Sequence, residues 1–163
     1  MAWLRLILAF LVLELAHLAR ARLPGGAWLP DITVALTVAL ALAGKPRVVL
    51  SAGLALCLLR APATLDDPLA STAAILGFAM FLLETRRFYA RERPPIAFLA
   101  GALGMLVLAF AAAAANGARG AASAGALAAL PAAVTTGLAV PAILPALRSW
   151  RVTRRLFERR FGE

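Results

Sequence analysis

The residues best suited to chemistry form one short stripe near the start of the chain. Glu14 and His17 are three residues apart, and Arg20 follows after three more. A helix would therefore place them along one face. A glutamate beside a histidine can relay a proton or bind a substrate, with Glu14 as acceptor and His17 as its partner. The pair also fits a buried hydrogen-bonded contact that fixes packing against another helix or a partner protein, and the absence of a second mid-membrane acid to continue a relay favours that interpretation.

The other reactive side chains have simpler explanations. Asp31 follows Pro30 and is placed to cap a helix, although a ligand role is the alternative. Asp66 and Asp67 lie in a proline-containing turn and make a weak calcium pattern. Cys57 is the single cysteine and lies in an apolar run, so we expect it to be a packing residue. We therefore expect no enzyme activity, no catalytic residue, no cofactor and no metal site.

Composition indicates a membrane protein. The 163 residues are 63% apolar and have a mean hydropathy of +0.86, whereas a soluble domain is about half apolar. The net charge of +9 would suggest nucleic acid in a soluble protein. Here the charge lies in short loops and a tail beside apolar segments, so anionic lipids are the expected partner and nucleic acid is not.

Positive charge alternates between the polar segments, and that alternation predicts a topology. One set of alternate segments holds 13 of the 17 basic residues: Arg5, Lys45, Arg47, Arg86, Arg87, Arg91, Arg93, Arg148, Arg151, Arg154, Arg155, Arg159 and Arg160. The other set holds Arg20, Arg22, Arg60 and Arg119. Because Lys and Arg are retained in the cytoplasm during insertion, the pattern predicts six transmembrane helices with both termini cytoplasmic.

The expected fold is all-α, a polytopic membrane helical bundle with two regions. Residues 1–147 form the six-span domain, with spans near 3–18, 28–43, 47–59, 69–83, 96–115 and 122–147. Pro131, Pro141 and Pro145 are expected to kink the sixth span. Residues 148–163 form a basic amphipathic cytoplasmic tail. Its apolar residues are Trp150, Phe157 and Phe161, and its expected lipid-interface residues are Arg151, Arg154, Arg155, Arg159 and Arg160.

Three short stretches resemble the rod shape-determining protein MreD family. Leu29-Pro30-Asp31 opens the second span, as Pro-Asp commonly does in that family. The basic turn at 44–47 leads into a glycine-containing third span, and the double-proline stretch at 140–148 runs into a basic tail. The chain departs from the family at one place. The family often carries an acidic residue near the end of the third span, whereas residues 56–59 of this chain contain none.

The resemblance implies a non-enzymatic scaffold in the bacterial inner (cytoplasmic) membrane that controls rod cell shape. Its expected partner is an MreC-like single-span protein with an external coiled coil. The resemblance also implies direct or indirect contact with the rest of the elongation machinery, which consists of MreB, a transpeptidase and a polymerase of peptidoglycan. Candidate partner or packing contacts are Glu14, His17, Asp31, Pro141 and Pro145.

A transporter subunit is the competing interpretation. The substrate-binding component of an energy-coupling-factor vitamin importer also has six helices and a similar length. Glu14, His17 and the Asp66-Asp67 turn would then contact the vitamin. Against this, a vitamin pocket needs several polar and aromatic side chains near the outer face, and there the chain offers Trp28 and few others.

Overall fold

The structure is a computed structural model that describes residues 28–61, 67–86, 94–115 and 127–149, together with 12, 15, 16, 18–20 and 22. Five helices have defined bounds: α1 (Ile32–Ala43), α2 (Pro46–Arg60), α3 (Pro68–Thr85), α4 (Pro94–Ala115) and α5 (Leu130–Ser149). The described residues before α1 include helical positions from Val12 to Arg22, called here the N-terminal helical segment. No strand occurs in the described residues, so the expected all-α class is confirmed for them.

Three of these helices are long and apolar enough to cross a membrane. They are α3, α4 and the Leu130–Leu147 part of α5, with mean hydropathies of 1.5, 2.4 and 1.7. Helix α1 is apolar but has 12 residues, and α2 has 15. At about 1.5 Å per residue these two helices are roughly 18 and 22 Å long, against a bilayer core of about 30 Å. Within the described residues, length and composition thus support membrane crossing for three helices.

Helix α1 forms the centre of the bundle. Nine of its 12 residues are buried, and it contacts each of the other four helices. Such an all-round apolar helix is typical of a helix enclosed by its neighbours. The position explains how a helix of about 18 Å is accommodated, because its ends contact protein.

A tight turn joins α1 to α2, as the Gly44-Lys45-Pro46 pattern predicts. The Gly44 N–H donates to the Leu40 carbonyl, which ends α1. A Cβ atom on Gly44 would lie 2.7 Å from that carbonyl oxygen, closer than real Cβ contacts. Pro46 is the first residue of α2, where its missing N–H costs nothing.

Close packing of α4 against α5 depends on two glycines. A Cβ on Gly101 would lie 2.7 Å from Val140 Cγ2 and 3.0 Å from the Gly137 Cα. A Cβ on Gly137 would lie 2.8 Å from the Phe98 carbonyl oxygen. Both glycines are therefore used for packing within this chain, as small residues commonly are in membrane helices.

Helix α5 passes through both of its internal prolines. Pro141 and Pro145 lie inside the helix, the first half-buried and the second exposed. Neither proline can donate to the carbonyl four residues earlier, yet the helix assignment continues to Ser149. The expected sixth span thus extends two residues beyond its predicted end at 147, and its start at 122 falls outside the described residues.

The outer surface of the bundle is apolar. Large hydrophobic side chains are exposed on α2, α3, α4 and α5, among them Leu58, Leu69, Phe81, Leu99, Phe110 and Leu138. Large apolar patches are uncommon on the surface of water-soluble monomers. The exposed apolar side chains of these helices are compatible with a lipid environment.

Candidate functional site

Asp31 is a buried acid at the start of α1. Its backbone is extended, and its Oδ1 atom accepts a hydrogen bond of 3.1 Å from the Val34 N–H. This is the helix cap that the sequence predicts. The residue is 1% exposed, so its charge must be balanced by groups of the protein.

The first balancing group is Arg60, the last residue of α2. Its Nε atom donates to Asp31 Oδ2 at 3.2 Å, and its side chain is 5% exposed. A cation in the last turn of a helix also interacts favourably with the helix dipole. The pair therefore joins the start of α1 to the end of α2.

The second balancing group is Arg20 of the N-terminal helical segment. Its Nη1 atom lies 3.0 Å from the same Asp31 Oδ2, and its side chain is 19% exposed. That Nη1 is buried but makes no aligned hydrogen bond with the described residues, so the contact is an ion pair by distance alone. Its Nη2 atom donates to Met105 Sδ of α4 at 3.8 Å, and a thioether is a weak acceptor.

A fourth element contacts Asp31 through its backbone. The Asp31 N–H donates to Thr136 Oγ1 of α5 at 2.9 Å, and Thr136 is fully buried. We call Asp31, Arg20, Arg60 and Thr136 the Asp31 cluster. Together with Met105 it links the N-terminal helical segment to α1, α2, α4 and α5.

A second polar contact lies where α1 joins α2. The Arg86 Nη1 atom, just after α3, donates to the Gly44 carbonyl oxygen at 2.6 Å. Lys45 and Arg47 are exposed beside this contact. Described basic residues from two polar segments assigned to the same membrane side (Lys45, Arg47 and Arg86) thus lie at one end of the bundle, and the Asp31 cluster lies at the other end of α1.

Both oxygens of Asp31 are occupied, which limits what the cluster can do chemically. Oδ1 accepts from the α1 backbone, and Oδ2 lies within 3.2 Å of both guanidinium groups. A carboxylate held this way at 1% exposure is unsuited to transfer protons or to bind substrate. The geometry is that of a buried structural ion cluster.

Several predicted residues can be placed, and others cannot. Asp67 caps α3 by accepting from the Leu69 and Ala70 N–H groups, as expected for a turn residue. Cys57 is buried in the core and forms no disulfide. No cluster of three metal-ligating side chains occurs among the described residues. The predictions on Glu14, His17 and Asp66 lie outside the described residues, as do those on Arg151, Arg154, Arg155, Arg159 and Arg160.

Sequence reasoning missed the pairing of Asp31 with Arg20 and Arg60. Each of the three residues was assigned to the same membrane side, where basic residues are few. Scarce opposite charges on one side of a membrane domain are expected to pair, because isolated charges are costly there. The sequence therefore contained a signal for this pairing.

Comparison of this chain with protein-family models, with curated proteins and with solved structures gives no match. The described fold defines an all-helical protein whose long apolar helices are compatible with a membrane. Any finer assignment therefore depends on the residues themselves.

Proposed function

We propose that this protein is a non-enzymatic scaffold of the lateral peptidoglycan synthesis machinery in the bacterial inner membrane. The proposal follows the resemblance to the MreD family, and the expected partner of the scaffold is an MreC-like single-span protein. The observation that carries the proposal is the Asp31 cluster. The acid of the Pro30-Asp31 pair, part of the family resemblance, caps α1 with one carboxylate oxygen and uses the other to join α1 to α2 and to the N-terminal helical segment.

The second part of the proposal is a six-span topology with both termini in the cytoplasm. Three contacts between residues of different helices or segments support it. Arg86 and Gly44, which the charge pattern assigns to the cytoplasmic side, are in contact. Arg20, Asp31 and Arg60, which it assigns to the external side, are also in contact. Antiparallel neighbours are expected to bring segments of the same side together.

A scaffold requires rigid helices with an outer surface left for partners. The Asp31 cluster supports the first requirement, since breaking a buried ion pair costs about 3–5 kcal/mol. The exposed apolar faces of α3 and α4 support the second, because such faces can meet lipid or another helix.

Purification from the native host in a mild detergent tests the scaffold. We expect a single-span protein with an external coiled coil to co-elute, and depletion of the protein to convert rod-shaped cells to spheres. Asp31→Asn should reduce both co-elution and shape rescue, whereas Asp67→Asn, a matched acid at an exposed helix cap, should not. Co-elution of a bound vitamin with partner ATPases would instead identify the importer component.

Topology has its own test. A reporter fused after Glu163 should be active when it needs the cytoplasm and inactive when it needs the periplasm. A reporter inserted beside Lys45 should behave in the same way, because both sites are assigned to the cytoplasmic side. Periplasmic activity at either site would refute the proposed six-span arrangement.

A further inference from the structure

The turn between α1 and α2 carries two basic side chains that no described residue neutralises. Lys45 and Arg47 are both exposed, and neither side chain forms an ion pair or a hydrogen bond with a described residue. The arginines of the Asp31 cluster and Arg86, in contrast, have partners within the chain. We call Lys45 and Arg47 the basic turn. Its two charges are open to a group from outside the described chain.

The described acids do not supply that group. Asp31 and Asp67 lie at the starts of α1 and α3, whereas the basic turn lies beside the end of α1 and the end of α3. Glu84, in the last turn of α3, is exposed and forms no ion pair with the basic turn. An anion from outside the chain would therefore be attracted to this end of the bundle.

The backbone of the turn is held on both sides. The Gly44 N–H donates to the Leu40 carbonyl, and the Gly44 carbonyl accepts from Arg86 Nη1. Pro46, the first residue of α2, has a fixed φ angle. The basic turn is thus presented at one depth, where the ends of α1 and α3 meet the start of α2. A site built in advance in this way loses less conformational entropy when it binds a ligand.

An apolar ridge continues from the basic turn along α2. Leu50, Leu54 and Leu58 are 41%, 45% and 64% exposed. They follow Arg47 by three, seven and eleven residues, so all of them share its helix face. Ser51 lies beside them, and its hydroxyl donates to carbonyls of its own helix, so it needs no outside partner. We call the three leucines the α2 ridge.

The length of the α2 ridge matches one leaflet of a bilayer. At about 1.5 Å per residue, Leu58 lies roughly 16 Å along the helix from Arg47. Half of a hydrocarbon core of about 30 Å is about 15 Å. The face therefore offers cations at one end and one leaflet's depth of apolar surface below them. A molecule that fits it has a negative head and an apolar chain.

We infer that the basic turn and the α2 ridge together bind one anionic phospholipid, with its phosphate at Lys45 and Arg47 and an acyl chain along the ridge. The inference does not depend on the scaffold function. Free inorganic phosphate would leave the ridge uncovered, and a zwitterionic lipid carries an ammonium group that the two cations repel. An anionic phospholipid complements both the charge and the apolar surface.

Photocrosslinking in vesicles tests whether this face selects a headgroup. The full chain, with a benzophenone side chain at Leu54, is placed in vesicles of phosphatidylglycerol and phosphatidylethanolamine in equal amounts. Among the lipids captured from Leu54, phosphatidylglycerol should exceed phosphatidylethanolamine by about threefold or more. Leu103, exposed in the middle of α4, is the matched position and should capture the two lipids in nearly equal amounts.

Two results of this experiment would overturn the inference. One is the same headgroup ratio at Leu54 and Leu103. The other is capture of a second copy of the chain from Leu54 in place of lipid, which would make this face a contact between copies. Neither result bears on the single-span partner, so the scaffold function stands or falls separately.

Substitution of the cations tests the headgroup contact. Lys45→Gln combined with Arg47→Gln should remove the phosphatidylglycerol preference at Leu54, and Arg47→Lys, which keeps the charge, should retain most of it. Arg22→Gln removes an exposed cation from the N-terminal helical segment and should leave the preference unchanged. A preference that survives the double substitution, or an equal loss in Arg22→Gln, would overturn the inference. Size-exclusion chromatography checks that each variant is folded.

Thermal unfolding in an uncharged detergent separates the head from the chain. Phosphatidylglycerol should raise the thermal midpoint of the unsubstituted protein, because a ligand of the folded state stabilises it. Phosphatidylcholine and glycerol phosphate, which lack the net charge and the acyl chains respectively, should raise it much less. An equal rise with glycerol phosphate would show that the α2 ridge takes no part and would refute a lipid site.

Discussion

Asp31 Oδ2 and Arg60 Nε lie 3.2 Å apart, at the start of α1 and the end of α2. The turn at Gly44 joins the end of α1 to the start of α2. The ion pair therefore holds together the two ends of the helical hairpin that the turn does not connect. Helix α1 is almost fully buried, and the pair therefore holds the centre of the bundle in register. Arg20 adds the N-terminal helical segment through the same carboxylate oxygen.

Asp31→Asn should strongly destabilise the protein. Asparagine keeps a side-chain oxygen for the Val34 N–H, so the helix cap is retained. The carboxylate charge that pairs with the buried Arg60 and the half-buried Arg20 is lost. We expect a loss of about 3–5 kcal/mol of unfolding free energy, measured by denaturant titration in mild detergent. Asp67→Asn, at an exposed cap, should change stability by less than about 0.5 kcal/mol, and equal effects of the two variants would contradict the role of the cluster.

Thr136→Val should destabilise the protein more than Thr135→Val. Thr136 Oγ1 accepts the buried Asp31 N–H, and valine has the same shape without the acceptor. We expect a cost of about 1–2 kcal/mol. Among the described residues, Thr135 donates only to carbonyls of its own helix, at Pro131 and Ala132, so its replacement should be nearly neutral. Similar thermal midpoints for the two variants would show that the contact between α1 and α5 is unimportant.

Helix bounds were largely predictable from the sequence, because proline, glycine and aspartate mark them locally. The span predicted at 47–59 is α2 at Pro46–Arg60, and the one at 69–83 is α3 at Pro68–Thr85. Asp31 caps α1 as predicted, and Asp67, predicted only as a turn residue, caps α3. The start of the last helix at Leu130 was not predicted, since an alanine- and glycine-rich stretch marks no boundary.

The site was harder to predict, because contacts between helices depend on rotation and depth that local patterns do not contain. Arg20 was assigned to the stripe of Glu14 and His17, yet the structure pairs it with Asp31. The stripe itself remains a prediction. The charge pattern assigned Arg20 and Arg60 to one side, and it missed that the Asp31 carboxylate pairs with both arginines.

Gly101→Ala should weaken the packing of α4 against α5. The added methyl group would lie 3.0 Å from the Gly137 Cα and 3.1 Å from the Thr136 carbonyl oxygen, and backbone cannot move aside easily. We expect a cost of about 1–3 kcal/mol. Gly77→Ala is the matched control, because a Cβ there has no neighbour within 4 Å, and alanine is the better helix former. A stable Gly101→Ala together with an unstable Gly77→Ala would reverse the expectation.

Arg86→Gln should loosen the junction between α3 and the turn that joins α1 to α2. The Arg86 Nη1 atom donates to the Gly44 carbonyl oxygen at 2.6 Å, and hydrogen bonds from charged groups contribute about 1.5–3 kcal/mol. Glutamine is shorter and neutral, so the bond is lost and the thermal midpoint in detergent should fall. Lys45→Gln removes a charge from the exposed part of the same turn and should change stability by about 0.5 kcal/mol or less.

Cys57 is buried, so a cysteine introduced at Lys45 can be labelled selectively. Its labelling rate should rise when Arg86→Gln is added, and an unchanged rate would show that Arg86 does not hold the turn.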